Sequence, residues 1–170
     1  MNDASIHAAS DTTHNALPLA TASRHFEARL DFFAFGPDAM QAMGAPEQRI
    51  ARSGLAKSLI ELIRLRVSQI NGCAYCIDKH ASAARSLGID ERRLMLLPVW
   101  CDTLLFTDSE RAALAWAEAL TRVADSQVPD ETWEHAKRWF LPSQLVDLTL
   151  VVTTTNAWNR FAVGFRKRPL

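Results

Sequence analysis

The sequence predicts an all-α fold, a compact bundle of six to seven helices. Three observations predict it. Apolar residues recur at three- and four-residue spacing through most of the chain. Helix stop and start residues fall between those stripes. The one Val- and Thr-rich run that favours a strand has no second run to pair with. The chain has 170 residues, long enough to bury about 70% of its unfolded surface in one core without disulfide staples.

Residues 1–22 are rich in Ala, Ser, Thr, Asn and Asp and read as a mobile tail, which leaves residues 23–170 as one helical domain. The run FEARLDFFAF from Phe26 to Phe35 reads as a short strand or an extended arm, its phenylalanines packed on something larger, such as a neighbouring subunit. Gly36 breaks the run, and Pro37 suits the first turn of a helix carrying Met40, Met43 and Ile50. Gly44 and Pro46 leave one long helix or two short ones open. Leu59, Ile60, Leu62, Ile63, Val67 and Ile70 mark an amphipathic helix from about Ala56 to Ile70, stopped by Asn71-Gly72. Cys73 to Leu87 is a second helix of good formers, ended by Gly88. Asp90 caps a short helix with Leu94, Met95 and Leu97 that stops near Pro98. Thr107 to Glu110 is a capping-box pattern before an Ala- and Leu-rich helix reaching Val123. Pro129-Asp130 opens a helix to Phe140, and Pro142-Ser143 opens the last. There the stripe of Leu145, Leu148, Val152, Thr155, Asn159 and Ala162 favours helix over the strand propensity of Leu148 to Thr155. The five tryptophans and the apolar stripes are assigned to the core.

Composition excludes several classes. Apolar residues are 48% of the chain and charged residues 22%, which excludes a wholly disordered protein. Nineteen basic residues balance nineteen acidic ones, so the chain as a whole has no field to hold nucleic acid or an anionic membrane. No stretch approaches 18 apolar residues, and the first twenty lack a basic n-region and an apolar h-region. These features predict a cytoplasmic protein with no membrane or nucleic-acid partner.

The chemistry concentrates between Glu61 and His80. Cys73 and Cys76, three residues apart at the start of a helix, stand on one face within disulfide reach. Unpaired N–H groups and the helix dipole favour a thiolate there. His80 lies one turn beyond Cys76 and is placed to exchange a proton with it. A tight Asn-Gly turn brings the preceding helix back across this one, and Glu61 with it as the orienting partner of the imidazole. A second thiol nearby traps an oxidised sulfur before it goes further. Thiol redox chemistry needs each of these parts, whether the substrate is a peroxide or, as the alternative, a protein or small-molecule disulfide. A structural zinc site with Cys101 or Glu61 as fourth ligand to Cys73, Cys76 and His80 is the non-enzymatic alternative. Cys101, beside Trp100, reads as a packing residue. His7 and His14 fall in the tail, and His25 and His135 are isolated.

Glu61 followed by Cys73-x-x-Cys76-x-x-x-His80 resembles the signature of the alkyl hydroperoxidase D-like branch of the carboxymuconolactone decarboxylase family. The blocks SQINGCAYCIDKH, SERAALAWAEALT and LVDLTLVVTTTNAWNRFAVGFR are similar to that branch, and the likeness runs from about Phe26 to Phe165. It implies an all-α fold, cofactor-free peroxide chemistry, and a homo-oligomer, a trimer or hexamer. It further implies that Cys76 attacks the peroxide, that Cys73 closes the disulfide, and that Glu61 and His80 relay the proton. The reductant it implies is an external dithiol or a lipoyl-type partner. Tyr75 stands where the characterised pattern has a histidine between the cysteines; a phenol donates a hydrogen bond but does not replace an imidazole as a base.

Overall fold

A computed structural model describes residues 27–169, so the expected tail and His7, His14 and His25 lie outside the described residues. The elements are α1 (Phe32–Phe35), α2 (Pro37–Ala51), α3 (Lys57–Ile70), α4 (Ala74–Ser86) and α5 (Glu91–Leu96). A 3₁₀ segment (Leu97–Asp102), α6 (Asp108–Thr121), α7 (Val123–Ser126), α8 (Asp130–Trp139) and α9 (Pro142–Gly164) follow. No strand occurs among the described residues. Apart from the four-residue turns α1 and α7, seven α-helices remain, as the apolar spacing predicts.

Helix α3 runs through the centre, packed on α4, α6 and α9. It is apolar on two sides. Ile60, Ile63 and Val67 meet Ala112, Ala113 and Ala117 of α6 and Leu148, Val151 and Val152 of α9. Leu62 and Leu65 meet Ala84, Leu94, Leu97 and Leu114. The alanines of α6 let the helix backbones approach closely, and α3 is thereby fixed from both sides. It is the rail on which the site is mounted.

The Val- and Thr-rich run is helical within α9. Its threonine hydroxyls donate back along the helix, Thr149 to the Leu145 carbonyl at 2.8 Å and Thr155 to that of Val151 at 2.7 Å. This satisfies the groups that local propensity would have turned toward a strand, and burial of the apolar stripe decides the matter. The capping box closes as expected: Thr107 Oγ1 accepts from Glu110 N at 3.3 Å, and Glu110 Oε2 accepts from Thr107 N at 2.9 Å.

Three expectations are corrected, and one left open is decided. The Phe26–Phe35 run is no strand: Asp31 caps α1 by accepting from Phe33 N at 3.0 Å, Phe32–Phe35 is a helical turn, and residues 27–31 before it are irregular. Phe32 packs within the chain, against Phe161 and Phe165 of α9. Gly44 and Pro46 do not divide α2, which continues through Pro46 as one helix. Helix α5 stops at Leu96, near Pro98 as expected, and Pro98 lies in the 3₁₀ segment that follows. Of the five tryptophans only Trp116 is buried; Trp133 and Trp139 are exposed on α8, where Trp133 covers Trp116 and carries Lys137 over its own ring. Cys101 is likewise exposed and packs nothing away.

Candidate active site

The join between α3 and α4 sets the site. Helix α3 closes in a Schellman motif, with Cys73 N donating to the Ser68 carbonyl at 3.0 Å and Gly72 N to that of Gln69 at 3.2 Å. The motif needs a left-handed residue, and Gly72 supplies it with φ +65°. Cys73 then becomes the N-cap of α4, its sulfur accepting from Cys76 N at 3.3 Å. The two helices fold back on each other after only three linking residues, Asn71 to Cys73. Glu61 lies about 15 Å back along α3 and His80 about 10 Å forward along α4, at 1.5 Å per residue, so they face each other.

A buried amide cluster clamps this turn. Asn71 Nδ2 donates to Asn159 Oδ1 at 2.8 Å and to Asn156 Oδ1 at 3.0 Å. Asn159, 1% exposed, donates in turn to Ser68 Oγ at 3.1 Å. Asn156 donates to Thr121 Oγ1 and to the Val152 carbonyl. Residues of three helices thus hold Asn71, two residues before Cys73.

The four predicted site residues come together. Cys73 and Cys76 are joined as a disulfide, with Cα atoms 5.3 Å apart. His80 Nδ1 lies 2.8 Å from Glu61 Oε2. The other Glu61 oxygen accepts from Arg64 Nη1 at 2.9 Å. Arg64 also reaches Glu47 of α2, and Glu47 accepts from Trp158 Nε1 of α9 at 3.0 Å. Burial pushes the Glu61 carboxyl up, but the His80 hydrogen bond and the charges of His80 and Arg64 together outweigh it. The carboxyl is held below its ordinary value and is ionised at neutral pH. An ionised carboxylate only accepts, so imidazole Nδ1 carries the hydrogen of this bond.

Cys76 and His80 border a cavity of about 320 Å³. Phe32, Phe33, Tyr75, Trp158 and Ala162 form its apolar wall, and Glu47, Arg64 and Lys79 its polar one. Cys73 is not in that lining and is 1% exposed, against 4% for Cys76. The cavity therefore opens onto one sulfur, with the other behind it. Tyr75 contributes an aromatic surface, while Asp78 is exposed. Among the described residues no group of three or more His, Cys, Asp or Glu is placed to hold a metal ion.

Arg64, Glu47, Trp158 and Asn159 were not foreseen as site residues. Arg64 carried a usable signal, standing one turn from Glu61 on a stretch otherwise devoted to the core. Glu47 and Trp158, far apart in sequence, carried none.

A profile of the carboxymuconolactone decarboxylase family matches residues 32–119, just over half of the chain. The uncharacterized protein YdfG of Bacillus subtilis (strain 168) is 35% identical over 140 residues, 82% of this chain and 95% of YdfG. A protein of unknown function from Agrobacterium tumefaciens, provisionally named an AhpD antioxidant defence protein, superposes with a TM-score of 0.83 at 37% identity. That match covers 85% of this chain and 99% of the other. The debrominase Bmp8 has the same fold, with a TM-score of 0.73 at 19% identity over 81% of this chain and 74% of Bmp8. With the Glu61, Cys73, Cys76 and His80 arrangement in place on this fold, the chain belongs to the carboxymuconolactone decarboxylase family, in its alkyl hydroperoxidase D-like branch.

Proposed function

We propose that the protein is a thiol peroxidase that reduces alkyl hydroperoxides or hydrogen peroxide through a Cys73–Cys76 dithiol–disulfide cycle. The observation that carries this reading is the cavity that exposes Cys76 beside His80 while Cys73 stands directly behind. His80 Nε2 takes the Cys76 thiol proton, and the thiolate attacks the outer oxygen of R–OOH. The O–O bond breaks, Cys76 becomes a sulfenic acid, and His80 returns the proton to the leaving alkoxide, giving R–OH. Cys73 then attacks the sulfenic sulfur, forming the disulfide and releasing water. An external dithiol, in keeping with a lipoyl-type partner, takes the disulfide back to two thiols and is itself oxidised. Glu61 fixes the imidazole tautomer through its bond to Nδ1.

In this reading residues 23–170 act as one catalytic domain, assembled as a trimer or hexamer, in the cytoplasm. Light scattering that gives a 170-residue monomer would remove the assembly and leave the chemistry. The chemistry is tested by intact mass after one equivalent of peroxide. Wild type should lose two hydrogens, Cys73→Ser should gain one oxygen trappable by dimedone, and Cys76→Ser should do neither. Full peroxide turnover by Cys76→Ser overturns the mechanism.

A further inference from the structure

Resting on the peroxidase reading, we propose that the preferred substrate is an anionic organic hydroperoxide, a carboxylate joined to an apolar or aromatic body. Lys79 and Lys167 receive the carboxylate, and Phe32, Phe33 and Trp158 receive the body.

Size and wall chemistry give the body. The cavity of about 320 Å³ lies in the range of small-molecule sites, about 300–1,000 Å³, and holds about ten water volumes, far more than hydrogen peroxide fills. Its aromatic walls are ordered against each other: Phe33 and Trp158 stack at 6.2 Å with an interplanar angle of 19°, and Phe32 leans on Phe33 at 4.7 Å. Flat or branched apolar groups gain contact there.

Charge gives the anion. Of the cavity's ionic groups, Glu47 and Arg64 are engaged with each other, Glu47 also with Trp158 and Arg64 also with Glu61. Lys79, one turn after Cys76 on α4, lines the cavity and has no ion pair or hydrogen bond among the described residues. Lys167, in the turn after α9, places its ammonium 4.8 Å from the Phe33 ring centre, 5.0 Å from Tyr75 and 5.5 Å from Phe32. All three rings line the cavity, and no carboxylate pairs with Lys167 among the described residues. Lys167 itself lines the neighbouring hollow, shared with Glu27 and Asp31, and Asp31 is engaged in capping α1. Lys79 in the lining and Lys167 over three of the lining rings thus have no ion pair among the described residues, and an anionic substrate supplies the partner.

The test compares cumene hydroperoxide with its para-carboxylate, which differ only in the anion. Reduced protein is mixed with each, and the single-turnover rate of disulfide formation is read by intact mass. Wild type should react about fivefold faster with the carboxylate at low salt, the ratio expected of one partly exposed ion pair. The ratio should fall toward one in 0.5 M salt and in Lys79→Gln/Lys167→Gln. Equal rates in wild type, or a ratio the double variant leaves intact, overturn the inference while the peroxidase reading stands. If neither peroxide oxidises Cys76, the peroxidase reading falls, and calorimetry then judges the anion site alone. There 4-isopropylbenzoate should bind at least about fivefold tighter than 4-isopropylbenzamide in wild type but not in the double variant, and equal affinities overturn the site.

Discussion

Replacing Asn159 by alanine should loosen the turn that carries the cysteine pair, at a cost that follows from its partners. Asn159 is 1% exposed, accepts from Asn71 at 2.8 Å and donates to Ser68 at 3.1 Å. Truncation removes two hydrogen bonds of about 1 kcal/mol each and leaves the Ser68 hydroxyl, itself 0% exposed, without its donor, for a total of about 3 kcal/mol. In a chain of this size that lowers Tm by about 6–12 °C. Thermal unfolding followed by circular dichroism, with both cysteines reduced, measures it. The Asn71→Ala variant and the double variant complete a cycle, and because the two amides touch, the double loss should fall short of the summed single losses by about 1 kcal/mol. The same variants should form the Cys73–Cys76 disulfide more slowly, since Asn71 precedes Gly72 and Cys73 in the turn. A Tm within 2 °C of wild type, or strict additivity in the cycle, would refute the claim that this cluster clamps the turn.

Glu61→Gln should slow peroxide-driven disulfide formation tenfold or more and should also change the pH dependence of stability. The folded carboxyl sits below 4.5, its unperturbed value, so the unfolded chain binds the proton more readily. The stability gained is therefore complete above about pH 4.5 and is lost as pH falls through the lower folded value. The Tm gap between wild type and Glu61→Gln should be widest near neutral pH and shrink below 4.5; a gap that widens on acidification contradicts the assignment. Leu62, 0% exposed on α3, should cost about 2–5 kcal/mol when cut to alanine, readable as a lowered urea midpoint at constant slope. Trp158→Phe keeps a ring on the cavity wall but removes the donor to Glu47, so it should cost about 1 kcal/mol in the same urea titration.

The helices were legible wherever periodicity and a cap agreed. The capping box at Thr107, the stop at Asn71-Gly72 and the stripe through α3 each combine an apolar rhythm with a residue suited to one backbone state. Legibility failed where a local signal could be overruled by its surroundings. Asp31 turns the aromatic run into a helical turn because a single carboxylate accepts two amide hydrogens, and nothing in the FFAF pattern announces that. Pro46 leaves one helix or two open, because a proline removes only one hydrogen bond, and the burial of Met40 and Ile50 on one helix decides it. Tryptophan identity alone placed Trp133 and Trp139 in a core that α8, a peripheral helix, does not supply.

The site divides in the same way, by the range of sequence each part needs. Disulfide formation needs one helical turn, and the three-residue spacing of Cys73 and Cys76 reveals it. Orienting the imidazole needs two helices and the turn between them, so Glu61 can be read once Asn71-Gly72 is recognised as that turn. The cavity needs α1, α2, α3, α4 and α9 together. The wall residues Phe32, Glu47 and Trp158 come from three of these, separated by long stretches of sequence, and no spacing rule joins them. Reactivity is thus written locally, while the choice of what may approach the sulfur is written in the tertiary packing. A fold shared with a debrominase therefore does not settle what this chain acts on; the residues that face Cys76 do.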